Sequence, residues 1–338
     1  RRLRVGYVSA DLWGHAVGYF IEPLFASHNR TNVLVFAYSN GVHVDATTKR
    51  LRELTDEWRD IVGMSDDALA GLIRDDGIDI LIDLSGHTGG NRLPVFARKP
   101  APVQVTYIGY GTTTGLSAMD YRFTDRYLSP SDSREWCSEE LIRLPGCFSC
   151  YRPSAEAPAV SASPAYTTGH VTFGSFNNLA KVTPAVVGVW AEILRAVPQA
   201  RLILKDAAFA DAGQVAGYRG LFAKGNVSGE RLEFIPKTAT HADHLALYGR
   251  VDIGLDSFPY NGCTTTCDAL WMGVPIVTLA GSMSFSRYGV TLLSNLGVDD
   301  LIATTPEAYV EKAVALATDR KRLMALRAEL RPRMAASP

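Results

Sequence analysis

Two loops in the second half of this chain carry residues of a type and spacing suited to holding an anion. In Asp256-Ser-Phe-Pro-Tyr-Asn-Gly-Cys-Thr-Thr-Thr-Cys-Asp268, a short apolar strand ends near Leu255 and Pro259 and Gly262 punctuate a turn. Thr264, Thr265 and Thr266 then open a helix that closes at Gly273. A helix start exposes unpaired backbone N–H groups and about half a positive charge, so hydroxyls placed there can share a phosphate with the backbone. Plain N-capping by threonine is the alternative reading. In the other loop, the β-branched and aromatic run His170 to Phe176 leads into Asn177-Asn178-Leu-Ala-Lys181. Thr183-Pro184 follows as a helix cap with proline at the first helical position. Lys181 therefore falls at the carboxyl end of a strand, the edge where open α/β sheets bind ligands, and its ammonium can neutralise a phosphate. Read alone, it is equally a solvated surface lysine.

The chain contains no Asp-x-Asp, the acidic pair by which many sugar transferases hold a divalent metal on a nucleotide diphosphate. No metal ligands are assigned; Lys181 and the Thr264-Thr265 helix start are suited to supply that positive charge instead. A third candidate lies near the N-terminus. In Val8-Ser-Ala-Asp11-Leu-Trp-Gly14-His15-Ala-Val-Gly18, His15 sits at the tip of a strand-to-helix loop that lacks the G-x-G-x-x-G fingerprint of dinucleotide binding. Ser85 to Gly90 and Gly109 to Gly115, rich in Gly, Ser and Thr, are expected at the same sheet edge. Short hydroxyls and accessible backbone there suit a polyhydroxylated ligand, and they also suit ordinary turns.

The elements that must position these residues follow from composition and patterning. With 338 residues, 47% of them hydrophobic, the chain can bury two α/β cores. A formal net charge of -1 supplies no basic field for nucleic acid, and no apolar run is long enough to span a bilayer. Arg1-Arg-Leu-Arg4 passes straight into a strand without a signal-peptide core, so a soluble, cytoplasmic protein is expected. Five sparsely placed cysteines argue for reduced thiols, and the lone Cys147-Phe-Ser-Cys150 pair lacks partners for a zinc site. Apolar strands are expected at 3–8, 33–38, 58–62, 78–84, 103–108 and 121–124. A second set falls at 171–176, 201–205, 231–235, 252–255, 275–279 and 301–303, with helices between the strands of each set, among them 20–27, 47–54 and 66–73. Strands apolar throughout and alternating with helices imply parallel sheets covered on both faces. The expected domains are 1–150 and 170–338, each doubly wound and facing the other across a cleft. Between them 151–169, rich in Pro, Ala and Ser, reads as a linker.

Arg4-Val-Gly-Tyr-Val-Ser-Ala-Asp11 with His15, Arg98-Lys-Pro-Ala-Pro-Val-Gln104, Gly109-Tyr110, Met119-Asp-Tyr121, Phe173 to Lys181 and the threonine segment together resemble the catalytic region of the protein O-linked N-acetylglucosamine transferase family. That family includes the SPINDLY-type proteins, which use GDP-fucose. The resemblance implies a GT-B fold of two Rossmann-like domains and inverting transfer of N-acetylglucosamine from UDP-N-acetylglucosamine to Ser or Thr hydroxyls of proteins. No cofactor or metal is implied. Carried over by position, Lys181 would bind the diphosphate and stabilise the leaving nucleotide, and Thr264 and Thr265 would hydrogen-bond the phosphates. Asp268 would accept from the ribose, Ala239 would offer backbone contacts to the base, and His244 would pack on it. Asn178 would lie near the phosphates, Gly109 would line the sugar site, and His15 would act as general base or positioning residue. Cys263 stands where animal members have His, His241 where they have Lys near the ribose, and Asn178 where they have Gln. With Phe258-Pro-Tyr260 and Thr266, these lie closer to SPINDLY-type and bacterial relatives, which leaves GDP-fucose as the alternative donor. A nucleotide-sugar epimerase or hydrolase of the same fold, or a binding module without turnover, are further alternatives. Family members usually carry tetratricopeptide repeats before this region, so such repeats are expected in a longer native chain.

Overall fold

The computed structural model describes residues 1–338 and divides into two units, Arg1–Arg152 and Pro153–Pro338. Each is built on one parallel sheet. The first unit holds β1 (Leu3–Ser9), β2 (Val33–Ser39), β3 (Glu57–Asp60), β4 (Ile80–Asp83), β5 (Val103–Thr106), β6 (Tyr121–Asp125) and β7 (Glu140–Leu144), in the order β3-β2-β1-β4-β5-β6-β7. The second holds β8 (Thr172–Ser175), β9 (Arg201–Lys205), β10 (Leu232–Ile235), β11 (Ile253–Leu255), β12 (Ile276–Leu279) and β13 (Ile302–Ala303), in the order β10-β9-β8-β11-β12-β13. Both orders are the doubly wound Rossmann arrangement, in which strand order reverses between the first and fourth strands. The switch points therefore lie at the carboxyl ends of β1 and β4 in one unit and of β8 and β11 in the other.

The inner strands form because most of their residues are apolar or buried on both faces, while the edge strands β3 and β7 are only partly buried. Tyr7, Val8, Val35, Ala37, Leu81 and Val105 are buried in the first sheet, and Phe173, Leu202, Leu204, Ile253 and Val277 in the second. Removing such side chains from water stabilises each unit by about 1.5–3 kcal/mol per large residue. The helices begin where the caps predict. Ser65 accepts from Ala68 N at 3.2 Å, Thr183 precedes Pro184 and accepts from Val186 N at 3.4 Å, and Thr305 precedes Pro306 and accepts from Ala308 N at 3.2 Å. The last of these helices presents Tyr309, whose hydroxyl donates to the Asp256 carbonyl oxygen at 2.9 Å and accepts from Trp190 Nε1 at 3.3 Å. A fully buried aromatic pair thus supports the backbone just past β11.

The segment 151–169 is not a free linker throughout. Residues 158–168 lie on the second unit: the Pro158 carbonyl accepts from Arg331 at 2.7 Å, the Ser161 carbonyl accepts from Arg327 Nε at 2.7 Å, and Ser163 donates to the buried Asp252 carboxylate. Ala165–Thr168 forms a short helix there. Polar backbone in a Pro- and Ala-rich stretch is here satisfied by arginine side chains.

Candidate functional site

At the carboxyl end of β11 the chain turns through Asp256 to Gly262 and enters the helix Thr264–Trp271. Cys263 occupies the N-cap position, and no side chain caps the helix. The threonines lie within the first turn, so the N-capping alternative does not describe them. Thr266 bonds back to the Gly262 carbonyl at 3.1 Å, while Thr265 donates to Asn177 Oδ1 at 2.7 Å. Thr264 is partly exposed. First-turn N–H groups have no intrahelical acceptor, so this helix start is electrostatically positive and open to an anion.

The β8 loop closes on the same point. Asn177, buried, joins Thr265 to Asp256, its Nδ2 lying 3.4 Å from Asp256 Oδ1. Lys181 ends a single 3-10 turn, and its Nζ donates to the Asn261 carbonyl at 2.9 Å while sitting 4.2 Å from the Tyr260 ring centroid. Burial lowers the lysine pKa, opposed by the charges of Asp256 and Cys263. Held by a carbonyl dipole and an aromatic face, and not salt-bridged to a carboxylate, the ammonium keeps its charge available. Asp256 is 1% exposed and accepts from Gly262 N and Thr278 Oγ1, each at 2.7 Å.

Burial pushes the Asp256 carboxyl up to about 6 from 3.8, against the opposing pull of Gly262 N, Thr278 and Lys181. The folded pKa exceeds the unfolded one, so the native state binds more protons between those values. The stabilisation this gives is complete below 3.8 and is lost as pH rises through about 6, a change of roughly 3 kcal/mol. Asp256→Asn should abolish that dependence. Melting temperatures of the two proteins, compared from pH 4 to 7, should show the variant gaining on the wild type as pH rises; a constant difference would sink the assignment.

The remaining predicted donor residues lie on the Thr264–Trp271 helix and on the segments that follow β8 and β10. Asp268 is buried on the Thr264–Trp271 helix, and its Oδ2 lies 3.8 Å from His241 Nε2 and 3.6 Å from His244 Nε2. The two imidazoles stack at 5.8 Å with planes 16° apart, and His244 Nδ1 is buried without a hydrogen-bond partner. Ala239 is exposed in the loop after β10. Asn178 is exposed and caps its own turn, accepting from Ala180 N at 2.9 Å. The amide that joins the cradle is thus Asn177, one residue earlier.

In the first unit, His15 is the N-cap of the helix Ala16–Ser27. Its Nδ1 accepts from Val17 N at 3.3 Å and lies 3.8 Å from Asp11 Oδ1, and its side chain is 40% exposed. With Nδ1 accepting, a neutral ring carries its proton on Nε2, which then donates rather than accepts. The β4 switch-point loop is fixed by Asp83, a fully buried carboxylate that accepts from Thr106 Oγ1 at 2.8 Å, Ser85 N at 3.1 Å and Gly86 N at 2.9 Å. Gly109 packs against this loop so closely that a Cβ would sit 1.9 Å from the Leu84 carbonyl oxygen. Its place is set by backbone approach.

Sequence reasoning selected Lys181, Thr264, Thr265 and Asp268 but not Asn177, Asp256, Tyr260, Asn261 or Gly262 as functional. One signal was present: Asp79-Ile-Leu-Ile-Asp83 and Asp252-Ile-Gly-Leu-Asp256 repeat a pattern around the fourth strand of each sheet. The leading Asp of each accepts from the backbone at the entry to the first strand, Arg4 N at 2.9 Å and Thr172 N at 2.8 Å. The trailing Asp of each takes a threonine hydroxyl from the fifth.

Comparison with known proteins gives one family. The model described as Glycosyl transferase family 41 matches residues 1–151 and 159–338. A Solanum lycopersicum protein named "Probable UDP-N-acetylglucosamine--peptide N-acetylglucosaminyltransferase SPINDLY" is 45% identical over all of this chain and 37% of its own length. The corresponding Arabidopsis thaliana protein named SEC is 35% identical over 98% of this chain and 34% of its own length. Among solved structures, a mutant of the Thermobaculum terrenum O-GlcNAc transferase is 43% identical, with a TM-score of 0.95 over 99% of this chain and 64% of that one. The chain therefore spans little more than a third of the length of the plant relatives it matches.

Proposed function

We propose, for a chain that belongs to glycosyl transferase family 41, that it moves N-acetylglucosamine from UDP-N-acetylglucosamine to Ser or Thr hydroxyls of proteins, with inversion. The observation that carries this reading is the uncapped helix start Thr264–Trp271 with the Lys181 ammonium, salt-bridged to no carboxylate, beside it, a cradle for a diphosphate. The acceptor oxygen attacks the anomeric carbon, the bond to the diphosphate breaks with its electron pair on the phosphate oxygen, and the hydroxyl proton leaves to a base. Lys181 and the helix-start N–H groups stabilise the negative charge that develops on the leaving nucleotide, so no metal is called on. Asp268 would accept from the ribose, and the base would contact the Ala239 backbone.

His15 belongs to the acceptor side. Its Nδ1 is engaged by the helix it caps, which supports a positioning role through Nε2–H over proton abstraction. The family relatives named for peptide transfer support a protein acceptor, whose recognition would draw on parts of a longer protein, tetratricopeptide repeats among them. Five free thiols go with a reducing, cytoplasmic setting; no helix is long and apolar enough to cross a membrane. GDP-fucose remains the second donor, because identity to the SPINDLY protein exceeds that to SEC.

A paired calorimetric titration with UDP-N-acetylglucosamine and GDP-fucose, repeated on His15→Asn, tests the reading. Asparagine keeps a capping oxygen for the helix but lacks the far ring nitrogen. Preference for the uridine donor, with undiminished binding but lost peptide transfer in the variant, is expected. Preference for the guanosine donor moves the function to O-fucosylation, and binding of neither removes the donor site.

A further inference from the structure

The order of strands in the second sheet fixes the path of a nucleotide across it. In the donor reading above, the phosphate-binding groups lie on the loops after β8 and β11, whereas the base contact falls at Ala239, after β10. β9 lies between β8 and β10, so a nucleoside diphosphate reaching from one set of loops to the other passes over the carboxyl end of β9. The residue at that end is Lys205. In register, Leu204 stands opposite Ser175, the last residue of β8, and Lys205 opposite Ile235, the last of β10. Lys205 thus sits level with the start of both ligand-bearing loops.

Its surroundings leave its charge unused. The side chain is half-buried, yet the ammonium takes part in no hydrogen bond or salt bridge within the chain. The following Asp206 forms no salt bridge with it and acts on it only through space, its oxygens accepting from Leu179 N at 3.1 Å in the Lys181 loop and from Ala208 N at 2.8 Å. Burial lowers the Lys205 pKa; the charges of Asp206 and Asp268 oppose this and that of Lys237 adds to it. Lys237, two residues beyond β10, is exposed and likewise unpaired. Burying half of a lysine without a partner costs free energy unless an anion or carbonyl arrives.

We infer that Lys205 is a binding residue for the nucleoside diphosphate, its ammonium donating to oxygen atoms between the β-phosphate and the base. The inference rests on the donor reading above and adds to it a cation that the Lys181 cradle does not include. Because the contact lies away from the bond that breaks, it acts equally on bound donor and transition state. Its loss should therefore raise the donor KM and leave kcat near the wild-type value.

Calorimetric titration of UDP and of GDP into the whole chain, Lys205→Met, Lys205→Arg and Lys181→Ala tests this, with thermal melting of each. Expected are about tenfold weaker nucleotide binding in Lys205→Met, recovery in Lys205→Arg, and melting no lower than wild type for either. Wild-type affinity in Lys205→Met overturns the inference, as does an equal loss in Lys205→Arg, which would mark a packing role. If the wild-type chain binds neither nucleotide, the donor reading itself falls. If wild type binds and Lys181→Ala is weakened while Lys205→Met is not, only the Lys205 assignment falls.

Discussion

Lys181→Ala should lower kcat for sugar transfer by about three orders of magnitude, and more than it lowers donor affinity. The ammonium is the only side-chain cation in the cradle. It is held in place before any ligand arrives, by the Asn261 carbonyl at 2.9 Å and the Tyr260 ring at 4.2 Å. Neither partner cancels its charge, and burial weakens screening by water, so a negative oxygen beside it feels a strong field. That field matters most when the bond to the diphosphate breaks, because the departing oxygen then carries more charge than in the intact donor. Truncation to alanine removes the field and leaves the first-turn N–H groups alone. Single-turnover transfer to a peptide, with UDP affinity measured in parallel, separates the two effects. A kcat within tenfold of wild type would reduce Lys181 to a structural tie between its loop and the Asn261 carbonyl.

The legible parts of the sequence were those whose reason is local. Val33–Ser39 is apolar along most of its length and Thr172–Ser175 is buried throughout, and both lie where the pattern put them. Lys181 and the threonines were identifiable because a loop following such a strand must lie at the ligand edge. β7, Glu140–Leu144, was missed: an edge strand interrupted by Glu140 and Arg143 and only partly buried has no apolar run to announce it. The helix Ala16–Ser27 starts four residues before the reading because its cap is a histidine and Pro23 falls within it. Asn177 and Asp256 escaped for a different reason. Their roles are contacts with Thr265 and Gly262, and the first of these crosses 88 positions of sequence. Only the paired Asp-Ile-x-x-Asp pattern hinted that a buried carboxylate organises each switch point.

Gly262→Ala should weaken donor binding by about a hundredfold while the fold survives. A Cβ at this position would lie 2.5 Å from Asn177 Oδ1, 2.5 Å from Thr265 Oγ1 and 3.0 Å from Thr266 Oγ1. None of these is the far end of a flexible side chain. Asn177 is buried between Ser175 and Asp256, and both threonines are β-branched on the first turn of a helix. The methyl group must therefore break the Thr265–Asn177 bond or tilt the helix start. It also strains the Gly262 N–H bond to Asp256 that anchors the turn. Each route moves the first-turn N–H groups, so in the proposed donor site the damage falls on anion binding before it falls on the core. Gly188→Ala is the control: on the helix Pro184–Ala196 a Cβ there meets nothing within 4 Å, and alanine should hold or raise the melting temperature. UDP titration of both variants decides the matter, since near-equal affinities would mean that the cradle tolerates displacement and that the helix start does not hold the phosphates.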